Sequence, residues 1–298
     1  MKFQYISDIH LESMNNNDYN QFLQLFQPSA PILILAGDIG NPYQPRYHEF
    51  LQYINNKYEK IFLITGNHEY YGNEIGATRQ YLQELIKLFP NIIYLENNYY
   101  DYQNYRFIGT TLWSLITNPL YEINDTKYIH YLDINLYNKE HQQAKEFLET
   151  TLEMTMKEYQ NQQSSSSSSL TQSDQQQFAS NTSSIQKCII ITHHIPSYDL
   201  IHPKYLLPPY QNYNQWFATN LNSLLEKYHS IINCWIYGHT HTALIKYLYE
   251  VPYLCNPIGY KGENILTKQI INQIFDTDDI PLYSKEVQEN NDNSKSSL

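Results

Sequence analysis

The strongest constraint in the sequence is an alternation. Short apolar runs rich in β-branched residues recur at Phe3–Ile6, Ile32–Ala36, Ile61–Thr65 and Ile92–Leu95, and helical patterns separate them at Tyr19–Gln27, Arg46–Tyr58 and Thr78–Phe89. Runs of this length without polar alternation read as strands buried on both faces. Pro45 precedes the second helical pattern and Pro90 stops the third. Strand–helix–strand order implies parallel strands joined by helical crossovers, so the chain is of the α/β class. Later runs at Arg106–Leu112, Cys188–Thr192 and Ile231–Tyr237 add strands, and Lys139–Tyr159 and Trp216–Tyr228 add helices. After Asp101 the helices thin out, which predicts a partly antiparallel continuation.

The ends of these runs carry the chemistry. The first finishes in SDIH (Asp8, His10), the second in AGDIG (Asp38) and the third in TGNHE (Asn67, His68). Cys188–Thr192 finishes in HHIPS (His193, His194), and the run ending at Tyr237 finishes in GHTH (His239, His241). In parallel sheets the carboxyl ends of strands share one edge, where ligands bind. Asp, Asn and His together are oxygen and nitrogen donors suited to Mn, Fe, Zn or Co, and too rich in nitrogen for a dedicated Ca or Mg site. There are enough of them for two divalent ions. Asp38 is the natural bridge, with one donor pair before it and one after. Two ions about 3.5–4 Å apart clamp the attacking and leaving oxygens of phosphoryl chemistry.

Composition narrows the partners. The chain has 298 residues and a formal net charge of −11, which argues against an electrostatic grip on a nucleic-acid duplex but not against a small phosphorylated substrate. Its three cysteines, Cys188, Cys234 and Cys255, sit in or beside apolar runs and read as core thiols. The opening MKFQYISDIH is no signal peptide, and no run reaches the roughly 20 apolar residues of a membrane span. A cytoplasmic protein with no membrane partner is the expectation. Gln160–Gln186 is nearly all Ser, Gln, Asn and Thr and reads as a disordered insertion, and the acidic tail 277–298 reads as frayed. Candidate ligands lie on both sides of the insertion. One domain, residues 1–276, therefore contains the whole site, and the tract is no linker.

The ordered blocks resemble the calcineurin-like metallophosphoesterase superfamily, whose signature runs D-x-H, GD, GNH(D/E), a histidine after a strand, then GH-x-H. The likeness extends to a smaller, uncharacterised branch of bacterial-type phosphoesterases through MKFQYISDIHLE, GNHEYY, GTTLW (residues 109–113) and NPIGYKGE (residues 256–263). The resemblance implies a four-layer α/β/β/α sandwich of two mixed sheets. It implies one ion on Asp8, His10, Asp38 and His241, and another on Asp38, Asn67, His193 and His239. The expected activity is hydrolysis of phosphate mono- or diesters by metal-activated hydroxide, since bound ions lower the pKa of water from about 15.7 toward 7. His68 is then the catalytic residue that protonates the leaving oxygen or stabilises its charge. Asn67, His68 and His194 are the candidate substrate contacts. His194 could exchange roles with His193.

Other residues draw plainer readings. Glu12 and Glu69 are read as shaping loops. Asn256 and Tyr260 either approach the pocket or form a turn, and Thr117–Asn138 is read as a flanking lid. Ile258 stands where the branch carries Arg, and Tyr237 where it carries His. A protein Ser/Thr phosphatase is disfavoured because no Arg follows GDIGNPYQ until Arg46. A duplex nuclease is disfavoured by charge. The alternative from another class is a binding scaffold. A retromer subunit keeps this fold without the histidine of GNH, whereas His68 is present here. A mononuclear metalloprotein is a third reading.

Overall fold

The computed structural model describes residues 1–118, 123–167, 185 and 187–279. The elements run β1 (Lys2–Ile6), α1 (Asn16–Leu25), β2 (Ile32–Ala36), α2 (Pro45–Asn55), β3 (Lys60–Ile64), α3 (Ile75–Ile86), β4 (Ile92–Tyr94), β5 (Asn98–Tyr102) and β6 (Tyr105–Thr110). They continue α4 (Asn124–Tyr128), α5 (Ile134–Ser167), β7 (Lys187–Thr192), α6 (Asn222–Tyr228), β8 (Ile232–Tyr237), β9 (Leu244–Leu248), β10 (Val251–Cys255), α7 (Lys268–Ile271) and β11 (Ile274–Asp276). The first sheet has the order β11-β1-β2-β3-β4 and the second β5-β6-β7-β8-β10-β9. Neighbours pair in parallel except at the edges, where β11, β5 and β9 pair antiparallel.

Period-two alternation explains why two sheets form four layers, because successive side chains of a strand point to opposite faces. Phe3, Ile32, Ile34, Phe62 and Ile64 turn inward to meet Phe107, Ile189, Ile191, Cys234, Ile236 and Leu254 in one interlayer core. The rings of Phe62 and Phe107 stack there with centroids 3.8 Å apart. Leu33, Leu35, Ile61 and Leu63 turn the other way, onto a core shared with Phe22, Phe50 and Leu82 of the first three helices. Ile190, Trp235 and Tyr253 do the same in the second sheet, beneath Leu148, Leu152 and Leu225. The protein is thus the four-layer sandwich expected, and all three cysteines are buried and unpaired.

Boundaries shift for identifiable reasons. Helix α3 starts at Ile75 rather than Thr78, because Glu74 is still extended and the turn begins immediately after it. Helix α6 starts only at Asn222, because Trp216 closes a separate 3-10 turn, Tyr210–Trp216, and is buried with Tyr137. Helix α5 begins at Ile134 and continues through Gln160 to Ser167, eight residues into the tract read as an insertion. Residues 168–184 and 186 of that tract, and 280–298 of the tail, lie outside the described residues.

The two sheets meet at one rim. The chain leaving β10 crosses to the end of β1. Ser7 N–H donates to Asn256 O (3.1 Å), Ile258 N–H to Ser7 O (3.0 Å) and Gly259 N–H to Asp8 O (2.9 Å). Asn256 Nδ2 donates to Tyr5 O and Ile270 O, so its amide is a structural tether. Ile258 is buried in the core beneath the first sheet, and that position offers no anion contact.

Candidate metal centre

The carboxyl ends of β1, β2 and β3 in the first sheet and of β7 and β8 in the second deliver the candidate ligands to this rim. The chain turns so sharply there that Asp8, Asp38 and His239 take left-handed φ values of 51°, 52° and 68°. Two glycines are required by close approach. A Cβ at Gly66 would lie 2.2 Å from Asp38 Oδ1, and one at Gly37, whose φ is +83°, would lie 2.5 Å from His193 Nδ1.

Three overlapping donor groups result among the described residues: Asp8, His10 and His241; Asp38, His193 and His239; and, linking these two, His10, Asp38 and His68. Asp38 Oδ1 accepts the His68 N–H (2.8 Å), while Oδ2 is 3.3 Å from His193 Nε2 and 3.8 Å from His10 Nε2. Asn67 Oδ1 is 3.2 Å from His193 Nε2 and completes the second cluster.

The hydrogen-bond network indicates which imidazole atoms are free to coordinate. His193 Nδ1 donates to Ala36 O (2.9 Å), His241 Nδ1 to Glu263 Oε2 (2.6 Å) and His10 Nδ1 to Glu12 Oε1 (3.2 Å). In each, Nε2 is the ring atom left facing the site. The Nε2 atoms of His10 and His241 face each other at 2.9 Å, close enough to share a proton or a cation. His239 Nε2 is buried with no hydrogen-bond partner. Burial and the adjacent His194 and His193 push His239 well below its ordinary pKa, which keeps that nitrogen a lone-pair donor. Burial would raise Asp38, but His193 and His68 outweigh it and hold the carboxylate well below its usual range. Orphaned lone pairs beside an ionised acid fit a pair of divalent cations. The donated imidazole N–H groups match the support that metal-bound histidines ordinarily receive.

His68 lies in the linking group. Its Nδ1 is 2.9 Å from Glu12 Oε1 and its Nε2 is 3.1 Å from the Tyr260 hydroxyl. Burial pushes its pKa down, but Asp38 and Glu12 prevail and raise it to about 9 in the ion-free site. His194 differs. It is fully buried, its Nδ1 donates to Thr111 O (3.2 Å) and its Nε2 takes the Tyr137 hydroxyl (3.1 Å). Both ring nitrogens are engaged, and the ring backs His239 at 4.3 Å rather than opening toward a ligand.

Glu69 shapes loops, as its place in GNHE suggested. Its carboxylate accepts N–H groups from Gly66 (2.7 Å), Ile39 (2.7 Å) and Asp38 (3.0 Å). Glu12 was read the same way but lies inside the site, where one oxygen serves both His10 and His68. Tyr260 also belongs to the site, stacked on His10 at 4.4 Å. Glu263 and Asp125 were not singled out. Glu263 lies within the quoted NPIGYKGE segment, two residues past Lys261, and Asp125 lies within Thr117–Asn138, the segment read as a flanking lid. His202 and Lys204, weaker candidates for substrate contact in the Pro-rich loop after HHIPS, make their contacts among the described residues within their own turn and with the Tyr205 ring. No helix among the described residues is long and apolar enough to cross a membrane.

Comparison with known proteins agrees with this arrangement. The chain matches the calcineurin-like phosphoesterase family over residues 1–243. It is 32% identical over 280 residues to the uncharacterized protein L509 of Acanthamoeba polyphaga mimivirus, covering 87% of this chain and 91% of the viral protein. Among solved structures, the phosphopantetheinyl hydrolase of Mycobacterium tuberculosis shares the fold with a TM-score of 0.60 at 15% identity, over 88% of this chain and 90% of that one. The protein TT1561 of Thermus thermophilus has a TM-score of 0.50 at 9% identity, over 86% and 88%. On its blocks and on the family match over residues 1–243, the chain belongs to the calcineurin-like phosphoesterase family.

Proposed function

We propose that the protein is a two-metal hydrolase of phosphate esters acting on a small phosphorylated substrate. The observation that carries this reading is the convergence of donor groups on Asp38, which lies in one group with His193 and His239 and in another with His10 and His68. Asp8, His10, Asp38 and His241 would hold one ion, and Asp38, Asn67, His193 and His239 the other. Such a pair supplies electrophilic stabilisation of the phosphoryl group and lowers the pKa of water toward neutrality.

The chain's own residues then divide the remaining work. Glu12 holds His68 Nδ1, which directs Nε2 outward past Tyr260. Glu12 at Nδ1 favours the protonated ring, so His68 would be placed to give a proton to a departing alkoxide. Tyr260 covers His10 and limits water access from that side. The partners of this cluster are acids, amides, hydroxyls and imidazoles, so the negative charge of the phosphate would be met chiefly by the cations.

The test is turnover of p-nitrophenyl phosphate and bis-p-nitrophenyl phosphate by Mn-loaded protein, with metal content measured in parallel. His68→Ala is expected to lose about 10²–10⁴-fold in kcat, the usual contribution of a positioned acid, while retaining two ions per chain. Absence of both turnover and bound metal in the wild type would replace this reading with that of a binding scaffold.

A further inference from the structure

Asn67 differs from the other candidate ligands in having two unlike ends. Its amide can offer a cation either a carbonyl oxygen, which binds, or an NH₂ group, which repels. Rotation by half a turn exchanges them. Something outside the donor cluster therefore decides whether the second ion finds four ligands or three.

Asp125 is placed to make that decision. Its Oδ1 lies 2.7 Å from Asn67 Nδ2 and 2.7 Å from the Tyr71 hydroxyl, and that hydroxyl is itself 3.2 Å from Asn67 Nδ2. That oxygen accepts, so it captures the NH₂ end and leaves Asn67 Oδ1 facing His193 Nε2. Asp125 is fully buried, and a carboxylate there is not drawn off by solvent. Backbone bonds hold it in place. Gly72 N–H donates to Tyr128 O (2.7 Å) and His130 N–H to Asn73 O (2.9 Å), docking the stretch around α4 onto the loop that follows GNHE. The rings of Tyr71 and Tyr128 lie 5.3 Å apart across the same junction.

We infer that Asp125 is a positioning residue of the metal centre, and that the segment around α4 is built to aim the Asn67 carbonyl at the second ion. The inference rests on the two-metal reading above. It goes beyond that reading by making a residue outside all five sequence blocks a determinant of occupancy at one ion only. Outer partners of this kind typically change metal affinity 10–100-fold.

The experiment is a Mn²⁺ titration of metal-stripped protein, with free ion counted by electron paramagnetic resonance and the exchange-coupled signal of a Mn pair recorded. Wild type is expected to bind two ions. D125N and D125A are expected to bind one with unchanged affinity and the other at least 10-fold more weakly, with the coupled signal lost and the melting temperature of the ion-free protein retained. The reciprocal variant N67D/D125N keeps a carboxylate oxygen and an amide NH₂ in hydrogen-bonding partnership, and is expected to regain the second ion. Two ions bound normally by both single variants would overturn the inference. So would equal weakening of both ions together with a lowered ion-free melting temperature, or a double variant no better than D125N. A wild type that binds fewer than two ions would remove the two-metal reading itself, an outcome visible before any variant is compared.

Discussion

Asp8, His10, Asp38, His239 and His241 all have φ between 47° and 68°, a region that L-residues with a Cβ enter at a cost of roughly 1–2 kcal/mol each. The turns that aim donors into the rim are therefore strained by the very side chains they present. The strain can be isolated at His241, whose side chain is 18% exposed. His241→Gly and His241→Ala remove the same ligand, but only the alanine keeps a Cβ in the left-handed region. In chelator-treated protein the glycine variant is expected to be more stable by about 1 kcal/mol in urea unfolding, and equal midpoints would refute the strain argument. At this scale the donors were legible in the sequence, because Asp, Asn and His at strand ends announce themselves by type. Their supports were not. A carboxylate such as Glu12, Glu263 or Asp125 acquires its role from the imidazole or amide that folding brings against it, and that partner is up to 58 residues away.

Between elements, Glu69 does what no single loop can do alone. Its carboxylate gathers N–H groups from the ends of β2 and β3, so the loops carrying Asp38 and Asn67 are fixed to each other before any ion arrives. Glu69→Gln would turn an NH₂ group toward some of those donors. It is expected to cost about 1–3 kcal/mol in urea unfolding, the range for leaving a buried hydrogen-bonding group unsatisfied, and a change below about 0.5 kcal/mol would count against the cradle. Arg79 plays a similar part deeper down, bonding Glu96 Oε1 and Glu140 Oε2 at 2.7 Å each and so tying α3 to α5. Most buried strands were legible as β-branched runs, but β10, VPYLC, was not among them, because Pro252 interrupts a short run. Edge strand β5, NYYDY, was not legible either, because its exposed face carries polar residues and hydroxyls in place of an apolar signature. The end of α5 escaped for a different reason. Once a helix is nucleated over an apolar stripe at Ala144, Leu148 and Leu152, propagation into Gln and Ser adds a hydrogen bond per residue with little resistance.

Across the molecule, the candidate ligands are split between the sheets. Asp8, His10, Asp38 and Asn67 follow strands of the first, and His193, His239 and His241 follow strands of the second. Bound cations would cross-link the layers and stabilise the native state by linkage. Each site held at 100 times its Kd adds about 2.7 kcal/mol, so Mn is expected to raise the urea midpoint of stripped protein and EDTA to return it. An unchanged midpoint across such a titration would show that no ion joins the sheets. Beneath this rim the interlayer core is built of Phe, Ile, Leu, Tyr, Ala and Cys, and none of the candidate ligands belongs to it. Architecture and reactivity are therefore separable in this protein. A descendant stripped of its imidazoles would relax its tightest corners and keep its interior intact, so the building can outlast whatever chemistry its rim performs.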